Sequence, residues 1–337
     1  MHTQTLKLRT PYLIFLGEEA RPTYAKTGKG IADWRPELCV GQLRLSDDAL
    51  DLKLADMPVA AAAEAGVGSL IVGTALVGGS IPEHWLDTLC SAAAAGIDIV
   101  AGLHTRLDSI AVLRDAAAAG HSRLIDVRIP PKNLPVASGK KRSGKRLLTV
   151  GTDCALGKKY TALQLERDMR SAGYSVDFRA SGQTGIMIAG TGIPIDCVVA
   201  DFISGAAEML SPDNDPEHWD VIEGQGSIYH PGYAAVSHGL LIGSQADAFV
   251  TCHAAGRTHI EGWEDYLLPS IGEVIERTIA IGSLTNPGIR CVGISVNTRS
   301  IAHENREDYL AQLSAKYGLP CVDPMIDGTS AIIHQLP

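Results

Sequence analysis

No CxxC pair and no zinc-ligand spacing occurs among the seven cysteines of this 337-residue chain, which argues against a zinc module. An odd cysteine count in a chain long enough to build its own core points instead to reduced thiols in a cytoplasm. Basic charge is also in deficit: 29 lysines and arginines face 38 aspartates and glutamates, a formal net charge of -9. That balance argues against general nucleic-acid binding, although a local basic segment can still hold a phosphorylated small molecule. Membrane-spanning runs are missing too. The uncharged run Ala65 to Pro82 contains five glycines and a proline, reads as strand plus loop, and only just reaches the minimum for a spanning helix. The N-terminal MHTQTLKLRTPYLIFLG has a short apolar stretch and no small-residue cleavage site, so no secretory signal is read. What is present is a globular composition, 45% hydrophobic and 20% charged. The length exceeds twice the usual ~150 residues per domain and predicts two folded domains. The many apolar helical stretches favour a homo-oligomer.

Apolar strand-like runs alternate with alanine-rich helical stretches from the start. PYLIFLG (11–17), SLIVGTA (69–75), IDIVAGL (97–103) and RLIDVRI (123–129) are separated by Ser46–Ala65, Pro82–Gly96 and Leu107–Gly120, which have helix-former composition. Continuous apolar runs fit parallel strands buried on both faces. Residues 1–130 therefore read as a Rossmann-like α/β domain. It has no GxGxxG turn after its first strand, so a dinucleotide site is not expected. Residues 130–146, PPKNLPVASGKKRSGKR, combine three prolines, two glycines and six basic residues with no acid. They read as an interdomain linker, or as a basic segment in which Lys140, Lys141, Arg142, Lys145 and Arg146 lie beside a phosphate site that begins immediately afterwards. A second α/β pattern fills 147–337, with strands expected at 147–151, 174–180, 197–202, 220–224, 248–252 and 291–297.

This second domain carries the chemistry. LLTVGTDCALGKKYTALQLERDMRSAG (147–173) runs apolar strand, glycine-bounded loop, then lysine at the start of an amphipathic helix. That layout is a P-loop, in which Gly151, Thr152, Asp153, Cys154, Ala155 and Gly157 present backbone N–H groups to phosphate oxygens and Lys158 adds a charge. Gly151 and Gly157 are separated by five residues rather than four, and Lys159 stands where a magnesium-binding Ser or Thr is usual. Thr161 lies a helical turn too far on to replace that hydroxyl. Magnesium therefore stays open, with Asp153, Asp201 and Glu223 able to hold it through water or to act as an acid/base set on a substrate amine. The P-loop domain is thus expected to be NTPase-like with a mostly parallel sheet.

The opening GTD and closing GK of the loop resemble those of the dethiobiotin synthetase branch of P-loop enzymes. DVIEGQG (220–226) looks like that branch's strand ending in E-G-x-G, which places Glu223 near the phosphates, and CVGISVN ends on Asn297, similar to its adenine-reading asparagine. GLHTRLD (102–108), KNLP, GTDCALGKKYTAL, RASGQTGIMIAGTGIPID (179–196), VIEGQGSIYHPGYAAVSHGLL (221–241) and GLPCVDP (318–324) together resemble a family of two-domain P-loop proteins. Long called a domain of unknown function, this family includes D-glutamate N-acetyltransferases. The resemblance spans nearly the whole chain. It implies a Rossmann-like domain, a P-loop domain, and transfer of acetyl from acetyl-CoA to the amino group of D-glutamate. Tyr160 departs from the threonine that the resemblance leads one to expect.

Coenzyme A carries a pyrophosphate and a 3′-phosphate, so a nucleotide-phosphate loop suits it, and Lys159 can neutralise charge where magnesium otherwise would. Arg179, Ser181, Gln183 and Thr184 in RASGQTG offer donors for a carboxylate or phosphate. His230 follows Glu223 by seven residues and is a second candidate acid or base. Arg257, between His253 and His259, is the candidate for a substrate carboxylate, since Glu261 and those histidines match no familiar zinc site. Cys154 at a helix N-terminus is a conceivable thiol nucleophile. The leading expectation is an acetyl-CoA-dependent N-acetyltransferase with Glu223, His230 and Asp153 as catalytic candidates. The runner-up is an ATP-dependent kinase or ligase acting on a small carboxylate or amino acid, and a third reading is a nucleotide-binding regulator without turnover.

Overall fold

The structure is a computed structural model that describes residues 6–22, 24–74 and 79–337. The end of the expected 69–75 strand, part of the Ala65 to Pro82 run and the first residues of the N-terminal stretch lie outside the described residues. The chain forms two compact units. Of the described residues, the first takes in those from Leu6 to Ile129 together with Gln183–Pro194; the second takes in Pro130–Gly182 and Ile195–Pro337.

The first unit is a five-stranded parallel sheet built from β1 (Tyr12–Gly17), β2 (Cys39–Arg44), β3 (Ser69–Val72), β4 (Asp98–Ala101) and β5 (Leu124–Asp126), in the order β2-β1-β3-β4-β5. Every residue of β1, β3 and β4 is buried, which is why those strands read as unbroken apolar runs. Helices α1 (Lys26–Trp34), α2 (Val59–Glu64), α3 (Leu86–Ala94) and α4 (Ala111–Gly120) accompany them. The expected helix 46–65 shrinks to α2. The preceding segment is held in other conformations by the side chain of Gln42, which accepts from Leu52 N–H and donates to Asp51, and by a bridge between Gln42 and Asp56.

The second unit contains a six-stranded parallel sheet. Its strands are β6 (Lys145–Gly151), β7 (Val176–Arg179), β8 (Trp219–Ile222), β9 (Ala248–Ala254), β12 (Arg290–Asn297) and β13 (Cys321–Val322), ordered β13-β12-β9-β6-β8-β7. A two-stranded antiparallel hairpin, β10 (His259–Ile260) and β11 (Trp263–Leu267), follows β9. The helices are α5 (Lys158–Ser171), α7 (Ile203–Leu210), α8 (Ala234–Ser244), α9 (Ile271–Gly282), α10 (Arg306–Tyr317) and α11 (Ser330–Ile333). Leu147, Ala162, Leu165, Val221, Val250 and Val292 pack one face of this sheet into a core. No strand forms at 197–202: the segment makes 3-10 turns at Ile195–Cys197 and Ala200–Phe202, with Val199 and Asp201 turned to solvent. A run that buries Val198 but leaves Val199 outside has little to gain from a sheet buried on both faces.

Two placements differ from the sequence reading. Residues 183–194 pack with the first unit, where α6 (Gln183–Ala189) lies against α1 and Arg35 donates to the Ile188 carbonyl. Four of the six basic residues of the stretch 130–146 are bound to the second unit. Arg142 and Arg146 are buried, donating to the carbonyls of Ser211, Gly243 and Pro212 and to the Ser211 hydroxyl, while Lys141 pairs with Asp247 and Lys145 with Glu217. Lys145 and Arg146 open β6, whereas the glycine-bounded loop leaves its other end.

Candidate active site

Parallel strands expose their last backbone groups at one edge, and a ligand crevice opens where successive connections depart to opposite sides. In the second unit that point is β6, flanked by β8 on one side and β9 on the other. The loop 151–157 leaves β6 there. Ala155 (φ 52°) and Gly157 (φ 107°) take left-handed backbone conformations, and Gly157 caps α5, aiming its first N–H groups outward at the positive end of the helix dipole. Lys158 is buried, with its ammonium donating to the Asp153 carbonyl at 2.7 Å. Loss of hydration lowers its pKa, although the loop's anionic groups oppose that shift.

Asp153 is fully buried and organises the loop. Its Oδ1 accepts from Cys154 N at 2.6 Å, and its Oδ2 accepts from Arg257 Nη1 and Glu261 N, each at 2.8 Å. Arg257 also donates to the Cys154 carbonyl and pairs with Glu261 at 3.2 Å. The arginine expected to meet a substrate carboxylate is therefore a brace between the hairpin segment and the phosphate loop. Thr152 bonds His253 Nδ1 at 3.1 Å, and burial, reinforced by Arg257, lowers the His253 pKa to about 4. Thr161 turns its hydroxyl to Gly157 O and Ser295, away from the position a metal-binding hydroxyl would take.

Glu223 follows β8 directly, one strand from β6. Its Oε2 accepts from Ser181 N at 3.0 Å and Gly182 N at 2.9 Å, its carbonyl accepts from Ser181 Oγ, and Gln225 Nε2 donates to that same hydroxyl. Desolvation raises its pKa to about 7, against the opposing pull of the Gly182 N–H, the Lys159 charge and the Ser181 N–H. Lys159 thus acts electrostatically on the same carboxylate, and its ammonium lies 4.6 Å from the Tyr160 ring centroid. Gly224 must be glycine: its backbone lies so close to β6 that a Cβ would stand 1.7 Å from the Thr149 carbonyl, and its N–H donates to Thr149 Oγ1.

His230 is buried between Tyr233, stacked at 4.5 Å, and Trp263, edge-on at 4.6 Å. Its Nδ1 accepts from Gly232 N, which places the proton of a neutral ring on Nε2, 3.9 Å from Asp153 Oδ1 and without a hydrogen-bond partner. Burial lowers its pKa and keeps the ring neutral. In that form Nε2 is a donor rather than a base. Asn297, at the end of β12, accepts from Arg299 N in a local turn.

Three of the donors expected in RASGQTG are engaged with protein partners. Arg179 pairs with Asp220 at 2.7 Å and Asp177 at 3.2 Å. Thr184 bonds Thr27 and Gln183 packs over Gly102, both within the first unit. Asp201 is exposed on its 3-10 turn and does not join Asp153, Cys154 and His230, which cluster with ligand atoms within 4.8 Å. What the sequence reading missed was the backbone of Gly182, the side chain of Gln225 and the rings of Tyr233 and Trp263. Only the first glycine of E-G-x-G, Gly224, signalled such close packing. A groove of about 770 Å³ on the first unit, lined by Leu43, Arg44, Asp47, Asp56 and Asp87, lacks a comparable set, since its arginine is paired with Asp56.

A parallel sheet with a glycine-bounded loop feeding a lysine at its switch point defines an α/β P-loop protein. The chain belongs to the DUF1611 family: residues 135–333 match the DUF1611_C P-loop domain and residues 43–130 the DUF1611_N Rossmann-like domain, both described as domains of unknown function. It is similar to a D-glutamate N-acetyltransferase from Pseudoalteromonas sp, 46% identical over 331 residues that cover 98% of this chain and 100% of that protein. A second D-glutamate N-acetyltransferase, from Tritonibacter scottomollicae, is 43% identical over 329 residues, 98% of this chain and 99% of that one. The crystal structure of a DUF1611 family protein from Anabaena variabilis ATCC 29413 superposes with a TM-score of 0.88 at 32% identity, covering 97% of this chain and 99% of that one. Among the described residues no helix is long and apolar enough to cross a membrane, and no disulfide joins the seven cysteines.

Proposed function

We infer that this protein transfers the acetyl group of acetyl-CoA to the amino group of D-glutamate. The observation that carries this reading is identity of 43% or more, along nearly the whole chain, to two relatives bearing that activity in their names. The geometry supports it. Coenzyme A's pyrophosphate suits the donor array of the 151–157 loop, the α5 N-terminus and Lys158, with Lys159 supplying charge beside Glu223. Loop hydroxyl chemistry for a metal is weak, because residue 159 is lysine and Thr161 faces Ser295.

Glu223 is the general base. A carboxyl with pKa near neutrality is matched to taking a proton from an amine at physiological pH. As the neutral amine nitrogen bonds to the thioester carbon it gives one proton to Glu223, the carbon–sulfur bond breaks, and that same proton passes from Glu223 to the departing thiolate, so that amine and thioester become amide and thiol. Backbone N–H groups of the loop and His230 Nε2–H are the donors available to an oxyanion. The test is acetyl transfer to D-glutamate with EDTA present and nucleotide absent. N-acetyl product is expected; its absence, with turnover restored by Mg-ATP, would instead support the kinase or ligase reading.

A further inference from the structure

At the amino ends of β7 and β8, the edge of the sheet opposite the phosphate loop, a second set of polar side chains converges. His218 Nε2 lies 3.3 Å from Asp220 Oδ1 and 3.6 Å from Asp177 Oδ2, and the three ligand atoms all fall within 4.8 Å of one another. We propose that Asp177, His218 and Asp220 bind a divalent transition-metal ion, with Zn2+ the best match to one imidazole and two carboxylates. A tetrahedral ion with bonds of about 2.0–2.2 Å separates its ligand atoms by roughly 3.3–3.6 Å. Both distances from the histidine nitrogen have that length.

Independent features of the histidine point the same way. His218 is 8% exposed, and its Nε2 is buried without a hydrogen-bond partner although two carboxylates face it. Its other nitrogen, Nδ1, is 2.8 Å from Ser175 Oγ, an outer contact able to accept from Nδ1–H in the tautomer whose Nε2 lone pair ligates a metal. The carboxylates are oriented as ligands usually are: Asp220 accepts from Ser211 Oγ at 2.5 Å and from Arg179 Nε at 2.7 Å, and Asp177 accepts from Arg179 Nη2 at 3.2 Å. Arg179 is also the competitor, since without an ion its guanidinium neutralises the same two oxygens. The Asp177 side chain is half exposed, which gives an ion its way in and a fourth position for water. Because β7 is the edge strand, the ion would clip it to β8.

The probe is Co2+ or Zn2+ added to the full-length, chelator-stripped protein, followed by calorimetry and by the visible spectrum of the cobalt form. One ion per chain is expected, with tetrahedral d–d bands and no thiolate charge-transfer band. Affinity should fall at least tenfold to a hundredfold in Asp177→Asn, a half-exposed site whose fold is checked by circular dichroism, and more in His218→Ala. Arg179→Gln, which removes the competing cation, should tighten binding. No binding to the wild type, a thiolate band, or binding unaltered in both ligand variants would overturn the proposal.

Discussion

Glu223 and Lys158 are both charged groups taken out of water, and each is answered by the loop in a different way. For Glu223 the folded pKa, about 7, lies above the ordinary 4.5. A raised pKa contributes stability that is fully present below the ordinary value and is lost as pH rises through the folded one. Glu223→Gln should therefore melt no lower than the wild type above pH 7, while losing roughly 10²–10⁴-fold in kcat. In the wild type kcat/KM should rise with pH through about 7, and that limb should vanish in the variant; a stopped-rate pH series checks both. On the proposed function, Lys158→Ala removes a charge-assisted phosphate contact, which contributes roughly 1.5–3 kcal/mol. Acetyl-CoA affinity should fall about tenfold to a hundredfold in calorimetry while D-glutamate's KM changes little.

The hairpin β10–β11 shows how an element governs a loop it does not belong to. Through Arg257 and Glu261 N it fixes the carboxylate of Asp153, and through Trp263 it closes over His230. Arg257→Ala should raise the KM for acetyl-CoA about tenfold and leave the KM for D-glutamate unchanged, whereas an arginine that bound the substrate carboxylate would give the reverse; initial rates at varied concentrations of each substrate decide. The phosphate loop was legible in the sequence because its chemistry is local: strand, glycines and lysine sit within a dozen residues. So was Glu223, carried by a strand end. The role of Arg257 was not, since its partner Asp153 lies far off along the chain and only folding reveals the pairing. The same is true of Gln183 and Thr184, whose polar side chains look like ligand donors until α6 docks beside α1. The false strand at 197–202 arose from an apolar run whose burial no local signal reports, and β2 was overlooked because CVGQLR is neither alternating nor continuous.

Charge is the property of the whole molecule that the fold redistributes most. The basic stretch ends at Arg146, the second residue of β6, and five residue steps along the strand put it about 17 Å from Gly151, where the loop begins. That is well beyond the screening length of about 8–10 Å at ordinary ionic strength. Lys140→Ala with Lys145→Ala should thus leave the acetyl-CoA dissociation constant within about twofold of the wild type, as measured by titration at physiological salt. The assignment of Gln183–Pro194 to the first unit has a different kind of consequence. Among the described residues the polypeptide passes from one unit to the other at 129/130, 182/183 and 194/195, so the two are interleaved rather than strung end to end. A gene split at the first crossing would part α6 from α1, the helix it packs against, and the first half would encode an incomplete unit. Such a protein is not assembled from interchangeable cassettes: in duplication, fusion or exchange between genes its two sheets have to travel together.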